Sequence, residues 1–263
     1  MKAIWKREVA SYFKTVTGWL ISAFLLIFVG IYCMAYNLSG YTNHFEYVLS
    51  AVSFVYLIAV PILSMRTLAE EKHQKTDQLL YSMPVTMTQV VMGKYLSMLT
   101  VLAFPLCITA IYPLILARYG SISFLTSYGT LFAFYLLGAC LLSIGLFISS
   151  ITESQLASAV ITLVVMLLLY FMTGLSTYVS TEGFTSMIAL EILAVLLCIV
   201  LQILTKNMLV TVLVGIVGLG GIYLWYEQTP TAFSGLFTSI MQSISLFERF
   251  DTFVDGVFDL TAV

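Results

Sequence analysis

A chain of 263 residues with 60% hydrophobic and only 9% charged side chains has a mean hydropathy of +1.03. A soluble domain carries roughly 25% charge, so this composition excludes a soluble globular protein. The 11 Lys and Arg against 13 Asp and Glu leave a formal charge of -2, which provides no basic surplus to neutralise a phosphate backbone and argues against nucleic acid as a partner.

Met1 to Thr17 does not read as a cleavable signal, because the apolar run behind it is too long and lacks a small-x-small site. Trp5, Val9, Tyr12, Phe13 and Val16 share a helical stripe, with Lys2, Lys6 and Lys14 elsewhere on the wheel. This predicts an amphipathic interfacial helix over residues 1–16 on the inner leaflet, rather than a basic tail that merely sets topology.

Beyond it, gaps in charge locate the spans, because a charge at the bilayer centre costs about 2.5 to 3.5 kcal/mol on the mildest scale. No Asp, Glu, Lys or Arg occurs in Thr15 to Phe45, Tyr47 to Met65, Tyr95 to Ala117, Tyr119 to Thr152, Ser154 to Thr181, Ile192 to Thr205 or Asn207 to Tyr226. Each gap holds a span of about 20 residues, the sixth including Glu191. Seven helices are expected, near 18–37, 47–65, 95–117, 126–150, 156–178, 187–205 and 208–226. The runs are apolar on every face, unlike the alternating segments of a membrane barrel, so the expected fold class is all-α and polytopic. Pro61, Pro105 and Pro113 fall inside the second and third spans and predict kinks there.

Cys33, Cys107, Cys140 and Cys198 lie far apart in apolar runs without a C-x-x-C pair. They indicate neither a disulfide framework nor a zinc site and read as packing residues. With the N-terminus inside, the inner side holds Lys2, Lys6, Arg7, Lys14, Arg66, Lys72, Lys75, Lys94 and Lys206. The outer side then holds only Arg118 and Arg249. This asymmetry fixes the expected orientation.

One inner connection, residues 66–94, is the only substantial inner loop and holds seven of the 24 charged residues. Glu70 to Gln78 is rich in helix formers, and Glu71 with Lys75 makes a favourable i,i+4 pair. This helix is polar nearly all round and ends in Leu79, Leu80 and Tyr81, which need a covering surface. Pro84 stops it, and Thr86 with Gln89 reads as a capping-box start for the next helix. From pattern alone, a solvated hairpin between two spans is favoured, with His73 an ordinary surface histidine.

The stretches Val60-Pro61 to Glu70-Glu71-Lys72, Thr76-Asp77 to Leu80, Ser82 to Thr86 and Gly93-Lys94-Tyr95 closely resemble the second-span, coupling-helix and third-span region of ABC-2 type permeases. Within these the gliding-motility-type subfamily is the nearest likeness. Trp5 to Glu8, Gly145 to Gln155, and Ser245 to Asp251 with Gly256 and Asp259 extend the resemblance over nearly the whole chain. It implies an ABC-2 (type V exporter-like) transmembrane domain: the permease subunit of an ATP-driven exporter in the bacterial cytoplasmic membrane, itself not an enzyme. Glu70, Glu71, Lys72, Gln74, Lys75 and Asp77 would be polar contacts to a cytosolic ATPase, with Leu79, Leu80 and Tyr81 filling its groove. ATP and magnesium would be bound by that partner and no cofactor by this chain. A second permease copy or a related permease, and an additional membrane protein with a large extracytoplasmic domain, are the further partners implied.

No G-x-x-x-x-G-K-[ST] occurs; Gly215 to Gly221 has the glycine spacing but no lysine. No H-E-x-x-H occurs, and no span contains histidine for an intramembrane serine protease. The alternatives are an ion-coupled secondary transporter, for which only Glu191 offers an ionisable group within a span, and a membrane signalling or scaffold subunit that moves nothing. No substrate-binding residue is legible.

Towards the end, Phe247, Phe250, Val254, Val257 and Phe258 form an apolar stripe beside the acidic Glu248, Asp251, Asp255 and Asp259. This predicts an amphipathic helix on the outer surface, within an extracytoplasmic segment 227–263. The family pattern continues from there into one more span of about 20 residues, so an eighth span is expected beyond Val263.

Overall fold

The computed structural model describes residues 1–39, 44–73, 86–120, 122–178, 183–205, 208–229 and 233–256. Every described element is helical and none is a strand, as backbone in lipid must satisfy its own hydrogen bonds within each segment. α1 runs Lys2–Lys14 and ends at Thr15, whose extended backbone turns the chain into α2, Val16–Cys33. α2 continues as a π-helical stretch over Met34–Ser39. The second span is assembled from α3, Glu46–Val52, a 3-10 turn over Ser53–Val55, and α4, Tyr56–Ser64, which contains Pro61. α5, Ala69–His73, follows at once. The third span is α6, Met87–Thr109, and α7, Tyr112–Leu116; Pro113 occupies the first turn of α7, where its missing N–H is tolerated. Then come α8, Phe124–Ile151, and α9, Gln155–Tyr178. The last four are α10, Gly183–Thr205, α11, Met208–Gln228, α12, Leu236–Ile244, and α13, Leu246–Val254.

Five described segments are long and apolar enough to cross a bilayer: Val16–Ser39, Glu46–Lys72, Met87–Leu116, Phe124–Ile151 and Gln155–Met172. The sixth and seventh expected spans fall on α10 and α11, whose described apolar stretches, Gly183–Val195 and Val212–Glu227, are shorter. Five described segments thus meet the length and composition of a span, while α10 and α11 are themselves helices of 23 and 21 residues.

The chain forms two compact units, Met1–Tyr170 with Leu246–Val263, and Phe171–Ser245. In the first, the second span is the most enclosed, packed against α2 and α8. Two glycines of α8 permit this approach. A Cβ on Gly138 would lie 2.9 Å from the Tyr56 ring and 2.5 Å from Leu102, and one on Gly145 would lie 2.7 Å from Ser64 Oγ. Tyr56 stacks on Phe134 at 4.5 Å between centroids and donates its hydroxyl to the Phe134 carbonyl at 2.8 Å.

α1 lies on α6. Ile4 fits against Gly93, the Trp5 indole donates to Thr100 Oγ1 at 2.9 Å, and Phe13, Trp19 and Phe104 meet edge to face at 5.4 to 5.9 Å. Tyr12 is buried and donates to the Leu63 carbonyl at 2.8 Å. Much of the stripe expected to enter lipid thus covers protein, while Val16 stays exposed. An apolar stripe specifies an apolar cover and not which one.

The C-terminal helix α13 buries its apolar stripe against protein. Phe247, Phe250 and Val254 are buried together with Phe253. Phe250 meets Phe134 at 5.8 Å, Phe247 meets Tyr170 at 5.1 Å, and Thr130 donates to the Phe253 carbonyl at 3.2 Å. The helix is amphipathic as expected: its aromatic stripe packs along α8, complementary to the aromatic and small residues there, while Arg249, Asp251, Thr252 and Asp255 are exposed. Val257, Phe258 and Asp259 lie outside the described residues.

In the second unit α10 and α11 pack side by side, with Phe233 buried edge-on against Trp225 and Tyr226 at 5.2 and 5.5 Å. Ile192, Leu213, Ile216 and Val217 remain exposed, as helices facing lipid require.

Candidate functional site

The connection from the second to the third span begins where α4 ends. Arg66 donates from Nε to Glu70 at 3.2 Å, the i,i+4 pair of its own turn, and from Nη1 to Thr15 at 3.3 Å and to Thr17. Arg66 therefore ties the loop to the junction between α1 and α2. Thr67 donates to the Ser64 carbonyl at 2.6 Å. Ser149, one turn from the end of α8, accepts the backbone N–H groups of Leu68 at 3.2 Å and Ala69 at 3.1 Å. These donors at the start of α5 have no intrahelical acceptor, so a hydroxyl from a different span supplies it.

The second anchor is Lys94, seven residues into α6 and only 1% exposed. Its ammonium donates to the Thr67 carbonyl at 2.7 Å, pairs with Glu71 at 2.7 Å and lies 4.0 Å from Glu8 of α1. Arg7 completes the cluster, 2.7 Å from Glu8 and 3.7 Å from Glu71. Its hydrogen bond to Glu8 raises the Arg7 pKa above its ordinary value, opposed by burial and helped by both carboxylates. Burial pushes the nearby Tyr12 phenol up, so it remains a neutral donor to Leu63. Two cations facing two carboxylates give a balanced cluster, the condition for keeping charge out of water.

Of the residues expected to meet a partner, Glu70, Glu71 and Lys72 are in place, and each is engaged within the chain. Glu70 holds Arg66, Glu71 holds Lys94, and Lys72 donates to the Ser150 carbonyl at the end of α8. Gln74, Lys75, Asp77, Leu79, Leu80 and Tyr81 lie outside the described residues.

Residues that sequence reasoning did not assign to the site, namely Arg7, Glu8, Arg66, Lys94 and Ser149, complete the anchor. Lys94 carried a usable signal: it is the only charge between Asp77 and Arg118, and a cation inside an otherwise apolar helix needs a counter-charge. Which carboxylate answers it is not readable from spacing, since Glu8 and Glu71 lie on separate helices. Nor is Ser149 distinguishable from the neighbouring Ser150 in sequence, although only Ser149 accepts from the loop backbone here.

Among the described residues no group of three or more His, Cys, Asp or Glu side chains is arranged to hold a metal ion. The site is a junction: Arg7, Glu8, Arg66, Glu70, Glu71, Lys72 and Lys94, the Ser149 hydroxyl and the Thr67 and Ser150 carbonyls join α1, α6 and α8 to the first turn of the loop. No curated protein and no solved structure matches the chain. The family model described as ABC-2 family transporter protein matches residues 2–254, taking in both the junction and α13; the chain belongs to the ABC-2 transporter family and is a multi-pass membrane permease of that kind.

Proposed function

We propose that this chain is the membrane-spanning subunit of an ATP-driven exporter and that the loop from Ala69 to Tyr81 couples it to a separate ATP-binding subunit. The observation that carries the reading is the fastening of Glu71 to buried Lys94 and of the Leu68 and Ala69 amides to Ser149. A helix that receives force from a partner must be rigidly attached at its root, and here the root is bonded to three spans and to α1. The nine expected partner contacts divide accordingly. Glu70, Glu71 and Lys72 fasten the lever, whereas Gln74, Lys75, Asp77, Leu79, Leu80 and Tyr81 meet the ATPase. ATP and magnesium sit in the partner, and the N-terminus faces the cytosol of a bacterial cell. The likeness to the gliding-motility subfamily adds a second permease copy and a membrane protein with a large extracytoplasmic domain.

The test co-expresses the permease with an ABC ATPase encoded beside its gene and measures co-purification in detergent. The Lys75→Glu, Asp77→Lys double variant is expected to lose the ATPase while inserting normally, because those side chains lie past the fastened root. Unchanged recovery would remove the loop from coupling. Flux driven by an ion gradient with no ATPase would favour a secondary transporter, and absence of ATP-dependent flux with the ATPase bound would favour a signalling or scaffold subunit.

A further inference from the structure

Four side-chain atoms form a closed ring of alternating charge at the root of the loop. Lys94 Nζ lies 2.7 Å from Glu71 Oε1 and 4.0 Å from Glu8 Oε1, while Arg7 Nη2 lies 2.7 Å from Glu8 Oε1 and 3.7 Å from Glu71 Oε1. The two short sides of the ring are opposite each other, and so are the two long ones. Exchanging short for long gives a second complete pairing, Lys94 with Glu8 and Arg7 with Glu71. Charge-assisted bonds run about 2.7 to 2.9 Å, so movements of about 1 Å close both long sides.

The two pairings are close in energy for a physical reason. Opening the Lys94–Glu71 pair alone would leave Lys94, only 1% exposed, without a bonded carboxylate, and orphaning a buried charge is strongly destabilising. In the exchange each cation trades one carboxylate for the other, and all four attractions persist around the ring. The ammonium has three donors, and its bond to the Thr67 carbonyl at 2.7 Å is common to both arrangements. Arg7, with 57% of its side chain exposed, has the freedom to turn.

What changes is the attachment of the loop. Arg7 and Glu8 both belong to α1, so in the present pairing their bond is internal to that helix and Glu71 fastens α5 to α6. In the second pairing Glu71 fastens α5 to α1 instead, and Lys94 fastens α6 to α1. The Leu68 and Ala69 amides stay on Ser149 of α8 in both, which makes that hydroxyl the pivot.

We propose that Arg7, Glu8, Glu71 and Lys94 are a two-position switch that hands the root of the loop from α6 to α1. Junctions with two discrete packed arrangements turn small displacements into rearrangements of whole helices. The inference rests on the coupling reading above for its driving force: the ATPase selects between the two positions.

The switch is tested on the full chain in deuterated micelles with isotope-labelled lysine and arginine. The Lys94 Nζ and Arg7 Nε signals are assigned by their loss in Lys94→Met and Arg7→Gln. Relaxation dispersion detects a minor state of about 0.1 to 10% that exchanges in microseconds to milliseconds. Lys94 and Arg7 should share one exchange rate, Arg118 should lack it, and Arg7→Gln should abolish it at Lys94. Stability gives a second readout. The coupling between Arg7→Gln and Glu71→Gln in the unfolding constant should be under about threefold with Lys94 present and at least about tenfold in Lys94→Met, where Glu71 closes on Arg7. Absence of dispersion, different rates at the two cations, dispersion at Lys94 surviving Arg7→Gln, or a coupling that Lys94→Met leaves unchanged would each overturn the switch. Adding the ABC ATPase encoded beside the gene should raise the minor population at least about twofold, and binding that leaves it unchanged overturns the assignment to coupling. Failure of the ATPase to co-purify while the dispersion persists overturns the coupling reading alone, and the reverse result overturns the switch alone.

Discussion

Replacing Lys94 with Met removes the ammonium that joins Glu71, Glu8 and the Thr67 carbonyl while keeping most of the aliphatic volume. At 2.7 Å and an effective dielectric of about 20, the pair with Glu71 has a gross Coulomb energy of about 6 kcal/mol, much of it offset by desolvation. The measurable cost is that of leaving a partly buried carboxylate behind, about 3 to 5 kcal/mol for a fully buried pair. Glu71 and Glu8 retain 18% and 16% side-chain exposure, and Arg7 stays 3.7 Å from Glu71. The loss should therefore fall near the lower end, about 3 kcal/mol. For a chain of this size that lowers the melting temperature by roughly 6 to 12 °C, read by tryptophan fluorescence in nanodiscs. Glu71→Gln should destabilise by less, since Arg7 and Lys94 can still pair with Glu8. Because the groups interact directly, the double variant should be more stable than the sum of single effects implies by at least about 1 kcal/mol. Additivity within about 0.5 kcal/mol, or an unmoved melting temperature for Lys94→Met, would refute the claim that this cluster holds the loop.

Ser149→Ala strips the acceptor from the Leu68 and Ala69 amides and should cost about 1 to 2 kcal/mol; hydrogen exchange should speed up at those two amides and not in the middle of α8. Gly138→Ala places a methyl 2.9 Å from the buried Tyr56 ring and should destabilise by about 1 to 3 kcal/mol. Gly218→Ala, with nothing within 4 Å of the new atom, should be neutral or gain up to about 1 kcal/mol from helix propensity, and equal thermal shifts for the two would contradict the packing. In a background free of other cysteines, His73→Cys should label only from the cytosolic side and Arg118→Cys only from outside; external labelling at 73 would invert the orientation.

Charge placement alone was enough to find the membrane, the helical class, the five long spans and the connection that matters, because the bilayer penalises every misplaced charge individually and so leaves gaps in a single sequence. Sequence pattern also identified the stripes of α1 and α13, since helical periodicity is a local property. It did not identify what covers them, because lipid and protein satisfy the same apolar face, and the structure seats Tyr12 beneath Leu63 and Phe250 against Phe134. Tertiary structure alone paired Lys94 with Glu71 and Glu8 and lent Ser149 to the loop backbone. Those are contacts between residues tens of positions apart, and their partners are selected by how the helices pack, which no local spacing encodes.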